Sequence, residues 1–200
     1  SVGMFFSFLV SFIAFAVSLF SFDYAKFYEK KANLAVFASL FNAFILSMLL
    51  VIASDNVFSF MLLWEIMTLI SALLILINDG EGASKNVMIY LGIAQIGASC
   101  LMVALIIMAS IAGTFEFSKF DHLEMGMGMS ITLFSLLLIG LGSKAGMFPF
   151  HVWLPLAYCQ SPSNASALMS GVMIKVALFA FIKFVFKAKT LRVKYAETFI

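Results

Sequence analysis

Six long apolar runs fix what this chain can become. They lie near 1–22, 33–54, 57–78, 86–112, 129–158 and 165–187, and each reaches the length of about 20 residues that crosses a hydrocarbon core of about 30 Å. With no water to satisfy the backbone in that layer, such runs must be helices or a closed barrel. They are apolar on every side and too long for the alternating strands of a barrel, so they read as helices. The expected fold is all-α: a polytopic transmembrane helix bundle of about six spans.

Composition agrees with that reading and removes other classes. Charged residues make up 11% and hydrophobic residues 64% of the 200 residues, whereas soluble domains carry roughly 25% charged residues. The net charge of +2, with its basic residues scattered, excludes nucleic acid as a partner. Cys100 and Cys159 belong to no CxxC pair and read as small apolar fillers. His122 reads as solvated in the polar connection TFEFSKFDHLEMGMGM and forms no haem pair with His151. No cofactor, metal site or catalytic residue is expected in this chain. The sequence begins directly in an apolar run without a basic flank, which does not fit a signal peptide. The whole of 1–200 therefore reads as a single transmembrane domain, an internal fragment of a longer subunit, and YAETFI as the approach to a further span.

Against this background a few polar groups stand out. Lys144 sits inside the fifth run, in GLGSKAGMFPFHVWLPLAY, ahead of Gly146, Pro149, His151 and Trp153. Glycine is conformationally permissive and proline removes a backbone donor, so the helix is expected to break just past the lysine. Broken helices at membrane depth line polar cavities. Glu65 lies about nine residues into the third run, with Thr68 three residues on and sharing its helical face. Lys175 lies about eleven residues into the sixth run, one turn after Gly171. A charged side chain at a helix centre costs about 2.5–3.5 kcal/mol, so these three together cost roughly 8–10 kcal/mol. Intramembrane ionisable groups mark ion pathways by default. The bland alternative is a static Glu65–Lys144 ion pair that holds helices together, although desolvation offsets most of what such a pair gains.

Other polar groups read as packing. Asn42 is expected to act as interhelical glue, and Gln95 and Ser99 as part of a helix contact that Gly92 and Gly97 keep close. Basic residues are spread over both sets of connections, with Lys26, Lys30, Lys31 and Lys85 on one face and Lys119 and the basic tail KAKTLRVK on the other. The positive-inside rule therefore assigns no orientation.

A lysine exchanges protons near neutral pH only where its surroundings offset about 4.6 kcal/mol in favour of the neutral amine. The approach and departure of a carboxylate changes that balance. On this reading Glu65 is the modulator, Lys144 the switch, and Lys175 the group that receives the proton through water.

At these residues the sequence resembles the antiporter-like, proton-conducting membrane subunits shared by respiratory complex I, membrane-bound nickel–iron hydrogenases, formate hydrogenlyase and Mrp-type sodium/proton antiporters. The matching segments are LLWEIMTLIS around Glu65, GSKAGMFPFHVWLP around Lys144 and SPSNASALMSGVMIK leading to Lys175. WEIMTLIS and ALMSGVMIK look most like the hydrogenase-type members, hydrogenase-4 component B and formate hydrogenlyase subunit 3. The resemblance implies that Glu65 and Lys144 take the family's glutamate–lysine positions in the first inverted repeat. It further implies that Lys175 takes the lysine of the following helix, where other members carry a histidine one turn earlier, at the place of Ser170. Thr68, His151 and Ser170 are candidate supporting groups. A second repeat is missing, so the fragment is expected to hold one half-channel and not to conduct alone. The implied partners are other membrane subunits of a respiratory or hydrogenase complex, the lipid bilayer, and protons or sodium. The implied location is a bacterial or archaeal cell membrane. Three readings compete: a proton-translocating subunit of a redox-driven complex, an Mrp-type antiporter module, and a scaffold with a static ion pair. Chemistry within this chain is the weakest reading.

Overall fold

The computed structural model describes residues 2–28, 33–78, 80, 82–120 and 125–187. His122, Lys30, Lys31, the tail beyond Lys187 and YAETFI lie outside them. The described residues are nearly all helical: α1 (Val2–Tyr28), α2 (Leu34–Ala53), α3 (Val57–Leu76), α4 (Ala83–Ala112), α5 (Met127–Ala145), α6 (Trp153–Gln160), α7 (Ser163–Leu168) and α8 (Ile174–Lys187). A π turn, Met169–Met173, joins α7 to α8. Among the described residues, six helical segments are long and apolar enough to cross a membrane, the fifth being the bent Met127–Gln160.

Side chains on the outside are those that lipid requires. Phe5, Phe8, Phe12 and Phe15 of α1 are all exposed, a patch that water would not tolerate on a monomer. Lipid tails supply no hydrophobic drive between helices, so association depends on close packing and small residues. The α4–α5 contact, the most extensive between helices, is made that way. A Cβ on Gly97 would overlap Ser143 Oγ, and one on Gly140 would sit 2.9 Å from Leu101 Cβ. Of the two glycines expected to bring α4 close to a neighbour, Gly97 does so. Gly92 faces open space.

Asparagines cap α2 and α3: Asn33 accepts from Ala35 N at 3.1 Å and Asn56 from Phe58 N at 2.9 Å. The turn between α2 and α3 is clipped to the α4–α5 connection, where Phe117 N donates to Asp55 O at 2.8 Å and Val57 N to Phe115 O at 3.0 Å. Phe117 packs edge-on against Phe60, Phe120 and Phe184 beneath this clip. Lys183, a fourth in-span charge, donates to Ser54 O at 2.7 Å and lies 4.7 Å from the Phe117 ring centroid. It thereby uses the negative end of α2, where a cation is favoured.

Two packing expectations differ from the structure. Asn42 is exposed and bonds to Ala38 O of its own helix at 2.9 Å, so among the described residues it holds no neighbouring helix. Cys159 is exposed and Cys100 half-buried; neither fills a closed core.

Candidate functional site

Lys144 occupies the last turn of α5, where the bent fifth span breaks before it continues into α6. Gly146 takes φ 70° as the cap, a left-handed conformation that costs other L-residues about 1–2 kcal/mol. Met147 N closes the end onto Gly142 O at 2.9 Å, the six-to-one bond of a Schellman cap. The Ser143 carbonyl takes the Trp153 indole N–H at 2.8 Å. That bond folds α6 back beside the break and satisfies one of the orphan carbonyls of the helix end. The expected break is therefore present, and Gly146 makes it, while Pro149 lies in the link that follows.

The Lys144 side chain is 2% exposed and reaches α3. Its Nζ donates to Thr68 Oγ1 at 2.6 Å and to Tyr90 OH, on α4, at 3.0 Å. The ammonium lies 5.3 Å from the Tyr90 ring centroid and 5.9 Å from that of Trp64. Thr68 stands eight residues before Leu76, the end of α3, so Lys144 is held about 12 Å inside that end at a rise of 1.5 Å per residue.

The hydroxyls of this box are ordered by hydrogen supply. Thr68 Oγ1 donates to Trp64 O at 2.8 Å and Ser71 Oγ to Thr68 O at 2.7 Å. A hydroxyl has one hydrogen, so in the 2.6 Å contact between Ser71 Oγ and Tyr90 OH the tyrosine is the donor. Thr68 and Tyr90 then offer Lys144 only acceptor lone pairs, which suits an amine or ammonium. Trp153 closes the box, its ring 4.9 Å from that of Tyr90.

Glu65 sits one turn from Thr68 on α3, half-exposed, and its Oε2 accepts from Gln95 Nε2 at 2.9 Å. Met61, Leu62, Ala98, Ser99 and Met102 surround the two in an open cleft of ≈ 480 Å³ between α3 and α4. The carboxylate and Lys144 are not in direct contact: among the described residues the ion pair within 4.0 Å is Lys119–Glu116 at 2.7 Å. Glu65 is near enough to act electrostatically on both Lys144 and Tyr90. Gln95, expected to serve packing, is the partner that the carboxylate has here.

Lys175 lies in the first turn after the π turn. Ile174 N donates to Met169 O, five residues back, so the Ser170 carbonyl loses the N–H it would take in an α-helix. Lys175 Nζ turns to that oxygen at 3.4 Å. Lys175 is half-exposed and Ser170 exposed, and neither touches Lys144. His151 is exposed with its ring stacked on Phe148 at 5.7 Å, away from the lysine. The structure thus joins Lys144 to Thr68 alone of the expected site residues and adds Tyr90, Ser71, Gln95 and Trp64. A signal for Tyr90 existed: it lies seven residues before Gly97, two turns up the face that meets α5.

Residues 54–200 match the family model described as "NADH:quinone oxidoreductase/Mrp antiporter, TM". This chain belongs to that family. Hydrogenase-4 component B of Escherichia coli (strain K12) is 37% identical over 183 residues, covering 92% of this chain and 27% of that protein. The chain therefore spans about a quarter of the length of this curated relative. Among solved structures, the Mrp complex from Dietzia sp. DQ12-45-1b aligns with a TM-score of 0.70 at 25% identity, over 77% of this chain and 17% of that one. The membrane-bound sulfane sulfur reductase, an archaeal respiratory membrane complex, shares the fold with a TM-score of 0.74 at 22% identity, over 95% of this chain and 29% of that one. The chain is accordingly an integral membrane protein with the antiporter-like fold.

Proposed function

We propose that this chain is part of a proton-translocating membrane subunit of a redox-driven complex of the hydrogenase-4, formate hydrogenlyase or NADH:quinone oxidoreductase type. In this reading Lys144 is the group that loads and releases the proton, Glu65 sets when it does so, and Lys175 takes the proton onward. The observation that carries it is a lysine 2% exposed at a helix break, bonded only through acceptors, with a carboxylate one turn away along α3. A static scaffold would pair the acid with the base directly. Here each charge has a neutral partner instead, which leaves the pair free to form and part. Electron transfer elsewhere in the complex would supply the energy, and other membrane subunits would be its partners. The chain would provide one half of the membrane route, as the first of two inverted repeats, with the remainder in the rest of the longer subunit.

The test is proton pumping by the full-length subunit in its assembled complex. Lys144→Ala and Glu65→Gln are each expected to depress pumping while assembly is retained. Unchanged pumping in both variants would remove the mechanism.

The likeness to the Mrp complex favours one second reading, a sodium/proton antiporter module with no redox partner. It predicts sodium uptake driven by an imposed proton gradient without any electron donor. The redox-driven reading predicts none.

A further inference from the structure

The charges of the couple are each held by a neutral group, and one helix carries a holder for both. Gln95 of α4 binds Glu65 at 2.9 Å, and Tyr90 of α4 binds Lys144 at 3.0 Å, with Thr68 of α3 as the lysine's second acceptor at 2.6 Å. Thr68 and Glu65 are three residues apart, about 4.5 Å along the helix axis. A lysine's four-carbon stem covers that by changing rotamers. The hydrogen count of the hydroxyl box leaves Tyr90 and Thr68 no role toward Lys144 except acceptance.

We propose that Gln95, Tyr90 and Thr68 are the resting holders of a two-position switch: they keep Glu65 and Lys144 apart, and the ion pair closes only when Gln95 and Tyr90 let go. These are positioning residues. The inference rests on the roles of Glu65 and Lys144 given above, and it makes α4 the element that sets the resting state. Because α4 is locked to α5 through Gly97 and Gly140, the Tyr90 hold travels with Lys144, whereas the Gln95 hold crosses to α3. The Thr68 hold crosses to α3 as well, but Lys144 keeps one acceptor when the other is lost. Gln95 is the partner that Glu65 has here, so release of Gln95 frees its charge outright.

The experiment uses the full-length subunit in its complex with Gln95→Leu and Tyr90→Phe, singly and together, and reads structure and pumping separately. Phenylalanine keeps the ring packed on Trp153, and leucine suits the apolar cleft around Gln95, so folding is preserved. Loss of one hydrogen bond to a charged group shifts the resting equilibrium toward the closed pair by about tenfold. The double variant is expected to show the Glu65 carboxylate within about 4 Å of Lys144 Nζ, the ion-pair distance, with Gln95→Leu alone moving it further than Tyr90→Phe alone. Pumping should fall in the same order. A merely structural role predicts lower stability with the charges still apart. Charges that stay apart in the folded double variant overturn the proposal. Pumping insensitive to Glu65→Gln and Lys144→Ala would instead overturn the transport reading, since the charge separation is read without reference to transport.

Discussion

Thr68 shows how much a single hydroxyl can carry. It receives the Lys144 ammonium at 2.6 Å and sends its own hydrogen to Trp64 O, so Thr68→Val keeps the shape and removes an acceptor from a buried cation. Hydrogen bonds to charged groups are worth about 1.5–3 kcal/mol. Thermal unfolding of the complex in detergent should show a loss of that order, and an unchanged melting temperature would mean that Tyr90 alone suffices. Lys183 makes a contrasting case. Its bond to Ser54 O and its place over Phe117 serve the clip between helix ends, so Lys183→Met should lower stability by about 1–2 kcal/mol with proton pumping retained. Glu65, Lys144 and Lys175 could be picked from sequence because a charge in hydrocarbon is costly enough to stand out. Ser71 and Gln95 could not, because neutral polar groups carry no such signature and their importance comes from what faces them across the bundle; for Tyr90 the spacing to Gly97 marks the face that meets α5 but not its partner. Lys183 lies four residues from the end of its run, where a lysine can reach the interface at little cost, and the carbonyl that receives it belongs to a helix 129 residues away in sequence.

At the scale of the element, the break after Lys144 was legible in Gly146 and Pro149, yet the way it is built was not. Gly146 has both a left-handed backbone and no room: a Cβ there would overlap Leu154 Cδ1. Gly146→Ala therefore combines about 1–2 kcal/mol of backbone strain with a clash. The double variant Gly146→Ala/Leu154→Ala should recover the clash and keep the strain, leaving melting between wild type and the single variant. Full recovery would mean that backbone conformation at 146 costs nothing. The α4–α5 seam is tighter still. Gly97→Leu must drive the two helices apart, because Ser143 and the Gly140 carbonyl at 3.1 Å occupy the space, and overpacking of this kind typically costs 1–3 kcal/mol or more. The π turn before Lys175 left no trace in the sequence, since SALMSGVMIK contains no proline or polar run to mark it. Its effect appears only once Lys175 Nζ is seen to reach the Ser170 carbonyl.

For the molecule as a whole, the number of crossings followed from run lengths, while the direction of crossing did not, because basic residues are divided between the two sets of connections. The structure supplies a way to read it. α4 holds 30 residues, about 45 Å at 1.5 Å per residue, which exceeds a hydrocarbon core of about 30 Å, so both of its ends emerge from the apolar layer. Lys85 in its first turn is exposed, and Lys119 lies beyond its other end with a side chain 62% exposed. The Lys119–Glu116 pair is a surface pair of the kind worth about 0–1 kcal/mol, so replacing the lysine should leave the fold intact. With Cys100 and Cys159 changed to serine, Lys85→Cys and Lys119→Cys should react with a membrane-impermeant maleimide from opposite sides of sealed vesicles. Labelling of both from one side would place α4 along the surface. Lys144 would then no longer lie at membrane depth, and the cost that singles it out would vanish with it.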